Sequence, residues 1–213
     1  MTLYAIELKS ISKTIRGHRI LDDISLSIPT GASIGIIGQN GSGKSMLFKV
    51  MSGLLRPDHG TVEVWGKLLS GSHFPENFSC LIESPGMLPH YSGLKNLEML
   101  ASIRKNYDLA FIRALMTQFG LNPDDKRPVR KYSLGMKQKL GIVQAFMDKP
   151  HLILLDEPTN NLDQDSIQVL KQYINALHSN PLVTTVLTSH DPTDISDLCT
   201  TVYEICDGKL HLK

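Results

Sequence analysis

The sequence lacks an excess of charge of one sign, paired cysteines and long apolar runs. With 22 Lys and Arg against 21 Asp and Glu, the formal net charge is only +1, so electrostatics gives no reason to expect nucleic acid as the main partner. The three cysteines, Cys80, Cys199 and Cys206, are odd in number and fit no zinc spacing, which predicts reduced thiols. No apolar run approaches the roughly 18 residues of a membrane span, so a membrane process would need another chain to cross the bilayer.

Strands and helices alternate along the 213 residues, which predicts an α/β core with a central parallel sheet. Helical spacing within about 85–147 predicts a helical subdomain inserted into a single domain, 1–213. We predict short strands within the first thirty residues and further strands at 33–37, 61–65, 78–82, 151–156 and 182–188, with a hairpin at 202–212. The predicted helices are 44–55, 94–103, 109–119, 136–147 and 164–177.

One glycine-rich segment matches the pattern Gly-x-x-x-x-Gly-Lys-Ser between a predicted buried strand and a helix. It reads Gly38-Gln39-Asn40-Gly41-Ser42-Gly43-Lys44-Ser45. Its glycines let backbone N–H groups face one anionic centre, and the following helix adds its positive dipole end. We predict that this phosphate loop and Met46 bind ATP, with Lys44 on the β- and γ-phosphates and Ser45 on Mg²⁺. The alternative is a glycine-rich turn without a ligand.

A second group of polar residues follows two predicted strands. Asp156 and Glu157 come directly after four apolar residues, and His190 follows strand 182–188. Asp156 would hold Mg²⁺, directly or through water. Glu157 would act as the general base on the attacking water, and His190 would contact the γ-phosphate. The alternatives are a solvated strand end for the two acids and a structural role for the histidine.

With these motifs in this order, the sequence resembles the nucleotide-binding domains of ABC transporters over essentially the whole chain. The segment Tyr132-Ser133-Leu134-Gly135-Met136-Lys137-Gln138 is similar to the family's signature motif, Leu-Ser-Gly-Gly-Gln. The segment 158–163, which ends at Asp163, is similar to the family's D-loop, and His190 matches its switch histidine.

The resemblance implies a phosphate-loop NTPase with a RecA-like parallel-sheet core, an N-terminal antiparallel β subdomain and an inserted helical subdomain. It also implies an ATPase that uses ATP and Mg²⁺ and powers a separate transmembrane permease from the cytoplasmic face of the membrane. In the family, two subunits pack head to tail, so that the signature of each closes on the other's ATP. A homodimer and a heterodimer both fit, and nucleic acid is not expected as a partner.

Two departures from the family pattern stand out. Ile15 occupies the position where an aromatic residue usually stacks on adenine, so stacking would be weaker unless Tyr4 or another residue takes over. Glu83 replaces the family's usual glutamine. This form resembles the subgroup that exports bacteriocins, lantibiotics and related peptide antibiotics. Glu83 would ligate Mg²⁺ and couple it to the helical subdomain, or it marks the lineage without mechanistic effect.

Three rival functions fit the sequence less well. A soluble ABC-type ATPase with a non-transport partner, such as DNA or ribosomes, would call for a coiled-coil insertion or a second ATPase domain, and the sequence shows neither. A GTPase would carry an Asn-Lys-x-Asp motif, which is missing. A subunit that binds ATP without hydrolysing it is disfavoured because Lys44, Asp156, Glu157 and His190 are all present. For the leading function, the loop 83–94 and the helices after it are the expected permease surface.

Overall fold

The computed structural model describes residues 4–69, 75–83, 86–103 and 107–213. Its strands are β1 (Tyr4–Ile15), β2 (His18–Pro29), β3 (Ser33–Ile37), β4 (His59–Val64), β5 (Lys67–Leu68), β6 (Phe78–Leu81), β7 (Leu152–Leu155), β8 (Thr184–Ser189), β9 (Thr201–Cys206) and β10 (Lys209–Leu212). Its helices are α1 (Lys44–Met51), α2 (Gly93–Ala101), α3 (Leu109–Gln118), α4 (Leu134–Phe146), α5 (Gln164–Leu177) and α6 (Pro192–Ile195), with a 3-10 turn at Val129–Lys131. No helix among the described residues is long and apolar enough to cross a membrane.

Four strands form an antiparallel sheet in the order β2-β1-β4-β5. Strands β1 and β2 have 12 residues each, so the short strands predicted for this region are wrong in length. The register between them shifts after Leu8, and Ser10 has a φ of 51°. This irregularity interrupts the alternation of apolar and polar residues, which is why the sequence indicated only fragments of each strand.

The second sheet has six strands in the order β10-β9-β3-β8-β7-β6. Every neighbouring pair is parallel except β9 and β10 at the edge. All residues of β3, β7 and β8 are buried, as expected for strands covered on both faces. Since Ile37 pairs with Ser189 and Leu155 with Leu187, the carboxyl ends of the three strands lie side by side. The predicted parallel-sheet core is confirmed, and this edge carries the candidate site.

Four of the five predicted helices differ from their predicted bounds, α2 and α3 by only one or two residues at an end. Helix α1 ends at Met51 instead of at residue 55, because Gly53 has a φ of 77° and leaves the helical conformation. Helix α4 begins at Leu134, two residues before the predicted start. The side chain of Leu134 is exposed, so the apolar pattern did not include this first turn.

The helices between β6 and β7 pack onto the core through aromatic side chains. The rings of Phe119 and Phe146 have centroids 6.2 Å apart, and Tyr173 of α5 lies 5.7 Å from the first and 4.6 Å from the second. These contacts join the end of α3, helix α4 and helix α5, and aromatic pairs at such spacing stabilise a core beyond the area they bury. The C-terminal end of α4 is thereby held against α3 and α5.

Candidate nucleotide-binding site

The phosphate loop connects β3 to α1 at the carboxyl edge of the six-stranded sheet. Gly41 and Gly43 adopt left-handed conformations, with φ of 81° and 107°. The ammonium group of Lys44, only 6% exposed, donates to the carbonyl oxygens of Gly38 at 2.7 Å and Gln39 at 3.1 Å. Gly43 gives α1 no side-chain cap, so the first N–H groups of the helix, including those at Ser45, remain available for an anion.

Gly38 also has a steric reason to be glycine. A Cβ atom there would lie 2.7 Å from the carbonyl oxygen of Ile205 and 2.7 Å from the hydroxyl of Ser42. The loop therefore packs closely against β9. Because the contact on the β9 side is to backbone, a side chain at residue 38 would displace the loop from its position over the sheet edge.

The two acidic residues adopt different backbone conformations after β7. Asp156 is 5% exposed, and its Oδ1 accepts a hydrogen bond from the hydroxyl of Thr188 at 2.7 Å. Glu157 has a φ of 49°, a left-handed conformation that is uncommon for residues other than glycine. Its N–H group donates to the same hydroxyl of Thr188 at 2.8 Å. Sequence reasoning missed Thr188, because it took strand 182–188 as apolar.

The carboxylate of Glu157 lies between two of the other predicted catalytic residues. Its Oε1 is 3.2 Å from the ammonium nitrogen of Lys44. Its Oε2 is 2.7 Å from Nδ1 of His190 and accepts from the backbone N–H of His190 at 3.3 Å. The structure therefore brings Lys44 together with Glu157 and His190, which lie more than a hundred residues after it in the sequence. A phosphate group bound to Lys44 would replace the carboxylate as its partner.

Helix α4 begins at the segment that resembles the signature motif. The hydroxyl of Ser133 caps the helix by accepting from the N–H of Met136 at 3.1 Å. A Cβ atom on Gly135 would lie 2.7 Å from the carbonyl oxygen of Asn161, so a glycine is needed where α4 meets the loop after β7. Leu134 between them is 68% exposed, leaving this helix end open to a partner.

Gln138 connects α4 with the acidic site. Its side-chain amide, which is 9% exposed, donates to the carbonyl oxygens of Glu157 at 3.3 Å and Pro158 at 3.1 Å. This contact was also missed from the sequence, since Gln138 appeared there only as part of the signature segment. The backbone of Glu157 is thus held by Thr188 on the N–H side and by Gln138 on the carbonyl side.

Asp163 caps helix α5. Its carboxylate accepts from the N–H of Ser166 at 2.8 Å and lies 3.4 Å from the ammonium group of Lys139 on α4. Hydrogen bonds from the Ser166 hydroxyl and backbone, with a smaller contribution from Lys139, lower the pKa of Asp163 to about 2. The carboxylate stays ionised, as an anion at a helix N-terminus is stabilised there.

Glu83 is not paired with the other predicted metal ligands. It follows β6 with a φ of 59°, and its Oε1 lies 2.6 Å from the ammonium group of Lys49 on α1. Within the described part of the chain it makes no hydrogen bond or ion pair with Ser45 or Asp156. Residues 84 and 85 of the predicted permease loop lie outside the described residues.

The remaining ligands suit a magnesium ion held partly by a nucleotide. Ser45 supplies a hydroxyl at the start of α1, and Asp156 keeps its Oδ2 free of the Thr188 hydrogen bond. Both are oxygen ligands, and Mg²⁺ is usually bound through one or two protein oxygens together with substrate phosphates and water. The described residues contain no cluster of three or more His, Cys, Asp or Glu side chains that would hold a metal without such help.

The structure excludes Tyr4 as a substitute for the missing aromatic residue. Ile15 is at one end of β1 and pairs with His18, whereas Tyr4 is at the other end and pairs with Pro29. Eleven residues of extended chain span roughly 36 Å, too far for Tyr4 to reach a base near Ile15. A cavity of about 480 Å³ lies beside the phosphate loop, lined by Arg19, Ile20, residues 39–42 and the β9-β10 turn.

Comparison with known proteins identifies relatives along the whole chain. The model of the family described as "ABC transporter" matches residues 21–160. The ABC transporter ATP-binding protein YybJ of Bacillus subtilis is 35% identical, over 97% of this chain and 94% of its own. The bacitracin transport ATP-binding protein BcrA of Enterococcus faecalis is 31% identical, over 97% of this chain and 68% of its own. The lantibiotic transport ATP-binding protein SrtF of Streptococcus pyogenes is 31% identical, over 98% of this chain and 90% of its own.

Solved structures show the same fold. An ATP-binding subunit of an ABC transporter superposes with a TM-score of 0.86 at 26% identity, covering 98% of this chain and 88% of its own. The ATP-binding cassette MJ0796, whose structure is a dimer bound to ADP and phosphate, gives a TM-score of 0.87 at 20% identity and covers 96% of each chain.

Proposed function

Because this chain belongs to the ABC transporter family, we propose that it is an ATP-binding and ATP-hydrolysing subunit that powers a separate transmembrane permease. The observation that carries the proposal is the position of the Glu157 carboxylate, within 3.2 Å of Lys44 and 2.7 Å of His190. These side chains meet where the phosphate loop ends, so a base, a cation and an imidazole converge on one phosphate position. Such an arrangement is suited to in-line attack of water on a γ-phosphate.

In the proposed reaction, the phosphate loop binds the triphosphate and Lys44 exchanges Glu157 for the β- and γ-phosphates. Ser45 and Asp156 would hold Mg²⁺, and the bound ion would neutralise phosphate charge. The freed carboxylate of Glu157 accepts a hydrogen bond from water and removes its proton as the water attacks the γ-phosphorus. The bond from that phosphorus to the bridging oxygen breaks, and ADP leaves with the electron pair. His190 remains beside Glu157 and contacts the γ-phosphate.

We further propose that two copies of the chain form a composite site. The Ser133 end of α4 presents a capped helix N-terminus with an exposed neighbour, Leu134, and such an end binds anions. The chain's own phosphate loop already provides a phosphate site, so this second anion site suits a nucleotide held by another copy. The two contacts are then equivalent and close a two-fold dimer.

Mixing two inactive variants tests the composite site. Lys44→Ala removes the phosphate contact, and Ser133→Arg blocks the signature end. A mixed dimer contains one site in which both halves are wild type, so we expect ATPase activity to reappear on mixing, up to about a quarter of the wild-type rate. The control mixture combines Lys44→Ala with Glu157→Gln, which disable the same half of each site, and should stay inactive. No recovery in the first mixture would exclude the homodimer and leave a heterodimer with another nucleotide-binding subunit.

The partner is proposed to be a permease that exports a peptide antibiotic or a similar molecule, which places this subunit on the cytoplasmic face of the membrane. The similarity to the bacitracin and lantibiotic transport proteins supports this substrate class. Leu88 and Tyr91, which are 44% and 46% exposed, lie in the loop before α2 and offer an apolar surface. We expect Leu88→Asp with Tyr91→Asp to abolish co-purification with a membrane protein but not ATPase activity. Leu182→Asp, at a leucine before β8 that is 54% exposed, is the control.

Co-purification also separates the alternative function. A soluble ABC-type ATPase with a non-transport partner would purify from the cytosolic fraction without a membrane protein. We would then abandon the transport function and keep the ATPase.

We also propose Glu83 as a third ligand of Mg²⁺. To bind the ion, its carboxylate must break the ion pair with Lys49. Lys49→Met removes the ion pair at 2.6 Å and frees the carboxylate. We expect the Mg²⁺ concentration that half-saturates ATPase activity to fall about threefold, since charge near a site favours cation binding, and Glu83→Gln in the same background should reverse the change. An unaltered Mg²⁺ requirement in both variants would remove Glu83 from the metal site.

A further inference from the structure

Thr188 is placed between the two residues on which the proposed chemistry depends. It lies in β8, which pairs with β7 so that Leu187 is opposite Leu155, and its side chain is fully buried. Asp156 and Glu157 follow β7 directly. Thr188 therefore reaches both residues at the point where the strand ends and the backbone turns away.

The hydrogen-bonding capacity of the hydroxyl is used in both directions. Because the N–H of Glu157 can only donate, the Thr188 oxygen accepts it at 2.8 Å. The hydroxyl proton is then directed to Oδ1 of Asp156 at 2.7 Å. One oxygen atom thus fixes the plane of the Asp156 carboxylate and the start of the left-handed turn at Glu157, whose φ is 49°.

We propose that Thr188 is a positioning residue that orients Asp156 toward the metal and Glu157 toward the attacking water. The proposal rests on the ATPase function proposed above and assigns it a residue outside the recognised motifs. With Oδ1 occupied by the hydroxyl, Oδ2 of Asp156 is the oxygen left for Mg²⁺ or its water. Outer hydrogen bonds of this kind orient ligating carboxylates in metal sites.

Burial keeps bulk water from taking the place of this hydroxyl. Thr188 is 0% exposed and Asp156 is 5% exposed, so bulk water does not reach the contact. Loss of the hydroxyl would leave the Glu157 N–H without this acceptor and Asp156 without this donor. A buried polar group that loses its partner shifts to find another, and here that shift would reorient both carboxylates.

The test compares Thr188→Val, which keeps the shape, with Thr188→Ser, which keeps the hydroxyl. We expect Thr188→Val to lower kcat about 10–100-fold, the range typical for loss of such outer hydrogen bonds, and Thr188→Ser to recover most of it. A second readout avoids turnover: in the Glu157→Gln background, binding of a fluorescent ATP analogue is titrated with Mg²⁺. Thr188→Val should raise the half-saturating Mg²⁺ concentration about tenfold, and Thr188→Ser should not.

Thr184→Val is the matched control. Thr184 is also fully buried in β8, and its hydroxyl accepts from the N–H of Gly31 at the far end of the strand. The Thr184→Val variant should have a lower melting temperature than wild type, with an unchanged kcat and Mg²⁺ requirement. If Thr188→Val does not purify as a folded protein, Thr188→Cys, a weaker hydrogen-bonding side chain, takes its place with the same two readouts.

The outcomes separate this proposal from the proposed function. A wild-type protein that does not hydrolyse ATP would refute the function itself. An active wild type with an equally active Thr188→Val, or a Thr188→Ser as impaired as Thr188→Val, would overturn the positioning role alone. Equal losses in Thr184→Val would show that strand destabilisation, and not the contact with the acidic pair, is responsible.

Discussion

Replacing Glu157 by glutamine should separate ATP binding from hydrolysis. The Glu157 carboxylate and the Lys44 ammonium group form an ion pair at 3.2 Å, with side chains only 16% and 5% exposed. ATP needs Lys44 for its phosphates and brings more negative charge next to Glu157. The carboxylate therefore competes with the substrate for the cation while it serves as the proposed base.

The magnitude follows from Coulomb's law at that distance. Two unit charges 3.2 Å apart interact by about 5 kcal/mol at an effective dielectric constant of about 20 and by about 1.3 kcal/mol in water. Lys44 also donates to the carbonyl oxygens of Gly38 and Gln39, which share in neutralising its charge and favour the lower figure. We expect Glu157→Gln to tighten ATP binding at least tenfold, equivalent to about 1.4 kcal/mol, and to lower kcat about 10²–10⁴-fold.

Calorimetric titration measures the affinity, and phosphate release measures kcat. The affinity for ADP should change less than the affinity for ATP, because ADP lacks the γ-phosphate beside Glu157. The Glu157→Gln variant should also accumulate as an ATP-bound dimer. Glu63→Gln removes another ion-paired glutamate, at 2.9 Å from Lys9, and should change neither quantity. A Glu157→Gln variant that hydrolyses ATP at the wild-type rate, or binds ATP no more tightly, would refute the reasoning.

Three further predictions concern stability and selectivity. The pKa of Asp163 is lowered to about 2, so its ionised carboxylate stabilises the folded protein at any pH above the ordinary pKa of an aspartate. This stabilisation is lost as the pH falls from about 4 to 2. Asp163→Ala should therefore lower the melting temperature at pH 7, and the difference from wild type should shrink below pH 3 in calorimetry. Gly135→Ala places a Cβ atom 2.7 Å from the Asn161 carbonyl and should cost about 1–3 kcal/mol, or roughly 2–10 °C in melting temperature. Gly86→Ala is the control: a Cβ atom at residue 86 meets open space, so this variant should keep the wild-type melting temperature. Because Ile15 offers no aromatic face, ATP and GTP should compete within a few-fold of each other, and a strong preference for ATP would contradict this.

The parts of the site that lie next to one another in sequence were predictable. The phosphate loop and the Asp156–Glu157 pair follow buried strands, and parallel strands bring their carboxyl ends to one edge. Thr188 and Gln138 were not predictable, because each makes its two hydrogen bonds to the acidic segment from a different element of the chain. Burial of a threonine within a strand carries no sequence pattern that distinguishes a positioning hydroxyl from a packed side chain.

The partner of Glu83 escaped prediction for a related reason. The sequence indicated a carboxylate near the phosphates, but the choice between Mg²⁺ and Lys49 depends on the face of α1 that each side chain meets. Lys49 lies five residues after Lys44 on that helix. Only the packing of α1 against the end of β6 sets this contact, and no motif encodes it.

Helix α4 has a consequence for how the two sites of the proposed dimer communicate. Ser133 caps its first turn, and Gln138, about 7.5 Å further along the axis, donates to the carbonyl oxygen of Glu157. In the proposed dimer, one rigid body would thus contact the partner's nucleotide and its own chain's base. Binding at one site therefore alters the free energy of the other, and the effect must be equal in both directions. The ATP dependence of hydrolysis should accordingly show a Hill coefficient above one.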